Sequence, residues 1–166
     1  PGKVDPDGAR IARERDGCLT PWQSDPATYG HAALTGTFKT GEVDVVRILE
    51  DLLRKRSAAG YQDGERFLDA VQNARLVADA ERYYRVMYYG SHASWNLRDT
   101  HMADTIDFVA QHLGTAGEPA KLVVWAHNSH VGDARATDMG DDGQLTLGQL
   151  VRQRHPSEEV RVGFAT

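Results

Sequence analysis

Apolar and polar positions change their period along the chain, and each change marks an element. Residues 1–40 show little periodicity. Pro1, Gly2, Pro6, Gly8, Gly17, Pro21, Pro26, Gly30 and Gly36 punctuate them at short intervals, which reads as loops around one short basic helix over 9–15. From Glu42 the pattern turns helical. Val45, Val46, Leu49, Leu52 and Leu53 form one stripe, and Gly60 is placed to stop that helix. A second helix is expected over about 65–89, with Phe67, Ala70, Val71, Ala74, Val77 and Ala78 at i, i+3, i+4 steps. A third is expected from Asn96, as N-cap, to Leu113, burying Met102, Ile106, Val109 and Leu113.

The period shifts again at Lys121. Residues 121–126 form a short, nearly continuous apolar run behind Pro119, which reads as a strand buried on both faces. A Gly- and Asp-rich loop follows. Thr146 and Gln149 have capping-box spacing for a short helix that Pro156 closes. Residues 160–165 read as a second strand. Strand, loop, helix, strand sketches a βαβ unit. The expected fold class is therefore α/β: a partial parallel sheet with a long helical region before it. Two strands make no stable sheet alone, so an incomplete domain is expected. The expected organisation is a loop-rich lead-in over 1–40 and the later portion of an α/β domain over 41–166.

Composition narrows the class. The apolar fraction is 40%, and the 20 Ala supply much of it. Leu, Val, Ile and Phe make up only about one residue in five, near the level where cores become hard to build. The net charge is 19 − 24 = −5, which argues against a nucleic-acid groove. No apolar run approaches membrane-spanning length, and no secretory leader opens the chain. Cys18 is the single cysteine. That excludes an internal disulfide and favours a reducing, cytoplasmic setting.

The best candidate for chemistry is His127-Asn128-Ser129-His130, with Gly132 and Asp133 after it. It begins where the first expected strand ends, and ligands of parallel α/β sheets bind beyond the carboxyl ends of strands. Two histidines close together can divide base and electrostatic roles near neutral pH. The three-residue spacing of His127, His130 and Asp133 also suits a metal. Yet Asn-Ser between the histidines lacks the glutamate of the zinc-protease helix, and the reading adopted has no metal and no cofactor. Arg98 and Asp99, at the start of the third expected helix, form a second candidate. The planar guanidinium of Arg98 could clamp a carbonyl or carboxylate.

Several segments together resemble the erythromycin esterase family. They are Asp69-Ala-Val-Gln-Asn-Ala-Arg75, Ala80-Glu-Arg-Tyr-Tyr-Arg85, Trp95-Asn-Leu-Arg-Asp-Thr-His-Met-Ala103 and Val124-Trp-Ala-His-Asn-Ser-His-Val-Gly-Asp-Ala-Arg135. Leu147-Gly-Gln-Leu-Val151 and Val162-Gly-Phe164 fit as well. The resemblance covers about residues 18 to 166. It implies an α/β hydrolase with long helical insertions, in which a histidine activates water without a metal to open an ester or macrolide lactone. It carries over His127 and His130 as catalytic residues, a stabiliser and a secondary acid–base. It also carries over Arg98 and Asp99, and the reading adopted takes Arg98, Asp99, Asn128 and Asp133 as substrate-binding residues. The family's base lies in a Gly-Glu-x-x-His-Gly motif. The Gly-Glu pairs here are Gly41-Glu42, Gly64-Glu65 and Gly117-Glu118, and none has His three residues after the Glu.

The expectation is thus the later part of an erythromycin-esterase-like hydrolase, acting on a small ester or lactone and contributing to macrolide resistance. Its expected partner is the N-terminal segment that carries the base, and alone it should be poorly active. Two rival readings come from other classes. One is a haem- or metal-binding module, since a related fold binds haem in iron-uptake proteins and His127 or His130 could be axial ligands. The other is a non-catalytic domain fused to another enzyme.

Overall fold

The computed structural model describes residues 6–59, 64–114 and 117–164, with side chains for all of these except 55–59 and 91. Gly60, the expected helix stop, and Ala165, the end of the second expected strand, lie outside the described residues. The chain divides into two compact units, 1–89 and 90–166.

In the first unit the Pro- and Gly-punctuated stretch is mostly helical. Helix α1 spans Pro6–Asp16, a 3-10 turn spans Gly17–Trp22, and α2 spans Pro26–Leu34. Pro6 and Pro26 open helices rather than break them, and Pro21 lies within the 3-10 turn: Pro26 follows the Asp25 N-cap, whose carboxylate accepts the Ala27 N–H, a position where a missing N–H costs nothing. Helix α3 spans Glu42–Ala59 and α4 spans Gly64–Val86. Helix α4 packs on α2 and α3, and α1 packs on α3. Phe67, Val71 and Ala74 of α4 are buried at the expected i, i+4, i+7 positions. Among the described side chains of α3, Val45 and Ile48 are buried, whereas Val46 and Leu53 are exposed. The apolar stripe was therefore wider than the face it buries. Gly30 lets α2 approach α4 closely, because a Cβ there would meet the Tyr84 carbonyl. Buried Glu81 accepts from the Tyr29 hydroxyl at 2.6 Å and from Arg85 Nε at 3.2 Å. Burial and that bond raise the Tyr29 phenol far above its ordinary value.

The second unit corrects the expected fold class. Helix α5 spans Ser91–Leu113, α6 Asn128–Val131, α7 Asp138–Asp141 and α8 Leu147–Arg154, with a 3-10 turn over Ala134–Ala136. Among the described residues there is no strand, so the domain is mostly helical rather than α/β with a parallel sheet. Residues 121–126 are not a buried strand: Val123 is 97% exposed and Trp125 85% exposed. Val160 and Val162, in the other expected strand, are exposed too. A short apolar run has the same pattern whether it is buried or not, and a strand exists only when a neighbouring chain completes its ladder. No ladder joins 121–126 to 160–164 among the described residues. What holds these segments near each other is a side chain: Asn128 Nδ2 donates to the Phe164 carbonyl at 2.5 Å and Asn128 Oδ1 accepts the Phe164 N–H at 3.3 Å. The Trp125 and Phe164 rings lie 5.5 Å apart.

The start of α5 is corrected as well. Its N-cap is Gly90, so Asn96 lies inside the helix. Gly90 has φ 157° and ψ 152°, a conformation left almost entirely to glycine. Asn96 instead clamps a loop, donating to the Gly143 carbonyl at 3.0 Å and accepting the Leu145 N–H at 2.7 Å. Trp95 Nε1 donates to the Leu145 carbonyl at 2.8 Å. These three bonds fix the entry to α8 against α5.

Candidate functional site

The site is built where α5, α6 and the first turn of α8 meet. Trp95, Arg98 and Asp99 stand at i, i+3 and i+4 on α5, so they share one face of that helix. Asp99 is wholly buried, and its Oδ2 accepts the Leu147 N–H at 2.8 Å. This supplies an acceptor for one of the N–H groups that the first turn of α8 leaves open. Thr146 is the α8 N-cap, its hydroxyl accepting the Gln149 N–H as the spacing predicted. The same hydroxyl accepts the Ala134 N–H at 3.1 Å and donates to the Gly132 carbonyl at 2.8 Å. Gly148 permits the close approach of α8 to α6, since a Cβ there would meet the carbonyls of Val131 and Gly132.

Against this frame α6 presents His130. Its Nδ1 lies 2.9 Å from Asp99 Oδ1 and 3.1 Å from Oδ2. The Trp95 ring stacks on the imidazole, centroids 4.7 Å apart and planes within 3°. The Arg98 guanidinium lies over the Trp95 ring, 5.1 Å from its centroid, a cation–π distance. A carboxylate edge and an aromatic face thus define the imidazole plane. Its side chain keeps 22% of its surface open, so the ring is held but reachable.

His127 is the N-cap of α6. Its Nδ1 accepts the Ser129 N–H at 3.2 Å and lies 2.9 Å from the Ser129 hydroxyl oxygen. His127 is exposed.

The structure therefore brings together His130 and Asp99, with Arg98 joined to them through Trp95. Asp99 is enclosed and faces the imidazole. Asn128 spends both ends of its amide on the Phe164 backbone. Asp133 turns to arginines: Arg135 Nε and Nη2 donate to it at 2.9 and 2.8 Å, and Arg152 and Arg161 stand at 3.7 and 3.8 Å. Hydrogen bonds from Arg135, with its charge and that of Arg161, hold the Asp133 carboxyl down at about 2. His127, His130 and Asp133 thus each have a different partner. Among the described residues no three His, Cys, Asp or Glu side chains are grouped to share a metal ion.

Trp95 is the residue that sequence reasoning left without a role. The available signal was its spacing, four residues before Asp99 on one helix, which puts an aromatic plane beside a carboxylate.

A histidine with one nitrogen on a buried carboxylate and part of its ring open to solvent has the make-up of a proton-transfer group. The erythromycin esterase family matches residues 2–166, essentially the whole chain, and the protein belongs to it. Membership supports an esterase-like function with a small-molecule substrate. No solved structure matches the chain. Among the described residues no helix is long and apolar enough to cross a membrane.

Proposed function

We propose that the protein takes part in metal-independent hydrolysis of a carboxylic ester or lactone, with His130 as an acid–base group and His127 as a stabiliser. The observation that carries this reading is the His130 imidazole seated on buried Asp99, in a chain of the erythromycin esterase family. Water adds to the carbonyl carbon, the C–O bond to the alkoxide breaks, and the proton lost by water ends on the departing oxygen. The products are an acid and an alcohol, or one hydroxy acid when the substrate is a lactone. His130 can carry a proton in such a sequence because Asp99 offsets the charge it gains. Exposed Arg98, within reach of the same corner, suits a substrate carbonyl or carboxylate.

The family's Gly-Glu-x-x-His-Gly base is absent from these residues. In this reading the first proton acceptor for water is supplied from an N-terminal segment outside them, and the 166 residues assayed alone hydrolyse esters poorly. A macrolide lactone is the proposed substrate, giving a role in resistance, and the lone Cys18 favours a cytoplasmic setting.

The test is ester and macrolide turnover by the full protein and by its His130→Ala variant. Losing one acid–base partner lowers the rate by about 10²–10³, while the melting temperature stays near that of the parent. Parental turnover in the variant would remove His130 from the chemistry.

A further inference from the structure

We infer that the two histidines of the His127-Asn128-Ser129-His130 loop are held in opposite tautomers, His127 as a hydrogen-bond donor and His130 as a proton acceptor. Backbone geometry imposes the first. A peptide N–H can only donate, so the Ser129 N–H on His127 Nδ1 at 3.2 Å requires a bare lone pair there. The neutral ring then carries its proton on Nε2. A buried carboxylate imposes the second. Asp99 Oδ1 and Oδ2 stand 2.9 and 3.1 Å from His130 Nδ1, and an ionised carboxylate can only accept. The proton of His130 therefore sits on Nδ1 and the Nε2 lone pair is free. Trp95, stacked within 3°, resists the ring flip that would put Cδ2 in the place of Nδ1 against Asp99.

The pair is divided by its fixed partners. His127 can steady an oxyanion through Nε2–H, and His130 can take a proton at Nε2 and return it to a leaving oxygen. This division of labour rests on the hydrolase reading above; the tautomers themselves do not. Asp99 is in this account a positioning residue, acting through His130.

Asp99→Asn is the informative variant. The Leu147 N–H, 2.8 Å from Asp99 Oδ2, keeps the amide oxygen for itself because buried donors need an acceptor. The amide NH2 then faces His130 Nδ1 and forces it to accept. The fold is retained and the His130 tautomer inverts.

Nitrogen NMR of the full protein labelled at histidine, recorded above the histidine titration range, reads the proton position on each ring. The expected pattern is His127 protonated on Nε2 and His130 on Nδ1, with His130 inverted in Asp99→Asn and His127 unchanged. Ser129→Ala, which keeps the backbone N–H, leaves His127 as it was. If His127 and His130 show the same tautomer, or if Asp99→Asn folds and leaves His130 unchanged, the inference falls. Turnover is measured alongside. In a serine protease the wrong tautomer lowers kcat by about 10⁴, and a drop of roughly 10²–10⁴ is expected here with little change in KM. Inverted tautomers with parental turnover would keep the tautomer assignment and overturn the catalytic role of His130.

Discussion

At the residue scale, Asp99 has two dependents, the His130 imidazole and the Leu147 N–H. Asp99→Ala deprives both, and leaving the buried N–H without an acceptor costs about 1–3 kcal/mol of stability. Chemical denaturation of that variant checks the loss. Asp99→Asn, which keeps an acceptor for Leu147, should melt close to the parent. His127→Ala removes only an exposed cap and should cost about 1 kcal/mol or less. The histidine pair was legible in the sequence because two imidazoles beside Gly and Asp are an unusual loop composition. The partner of His130 was less so. Asp99 was singled out, but as a substrate contact, since nothing in a linear pattern says that a residue 31 positions away will enclose it. Trp95 passed without a role because an aromatic residue on a helix reads first as packing.

At the element scale, α8 depends on one hydroxyl. Thr146 is 1% exposed and its Oγ1 serves Gln149 N, Ala134 N and the Gly132 carbonyl. Thr146→Ala should lower stability by about 1–3 kcal/mol, measured by urea unfolding. The cap was readable from Thr146-x-x-Gln149 because capping is a local matter. The strands were misread because pairing is not local: 121–126 and 160–164 have the apolar content of buried strands and lack the neighbours that would make them so. The loop between α6 and α8 carries a pH dependence. Arg135 and Arg161 hold Asp133 at about 2, below the ordinary 3.8. A depressed carboxyl stabilises the folded state above its unfolded value and loses that contribution as pH falls through its folded one. Melting temperature should therefore decline between about pH 4 and pH 2, and less steeply in Asp133→Asn. Equal slopes in the two proteins would show that Asp133 has no part in the acid response.

For the whole molecule, the two units differ in how they close their surfaces. The first buries Tyr29, Val45, Phe67 and Val71 among its helices. The second leaves Val123, Trp125, Val160, Val162 and Phe164 exposed on its extended segments. An apolar patch of that kind on an isolated chain promotes association. Light scattering of the 166-residue chain should show growth in mass with concentration. The paired substitutions Val123→Asp and Val160→Asp should return it to monomer without changing helix content. A strict monomer at high concentration would show that the patch is too small or too well solvated to self-associate. Composition had hinted at this, since few large aliphatic residues were available to fill a core. It could not say where the shortfall would be, and the structure places it in the extended segments.

The bond from the Leu147 N–H to Asp99 has one more consequence. It ties the aim of an imidazole to a peptide group with no chemistry of its own, at the far end of the loop over residues 137–146. In a screen for folded but inactive protein, hits should then gather in two places along the gene, around codon 130 and again over codons 143–149. The second group would include small changes such as Gly148→Ala, whose added methyl would press on the Val131 and Gly132 carbonyls. Pairs drawn from the two groups should be less than additive, because each alone already breaks the same alignment.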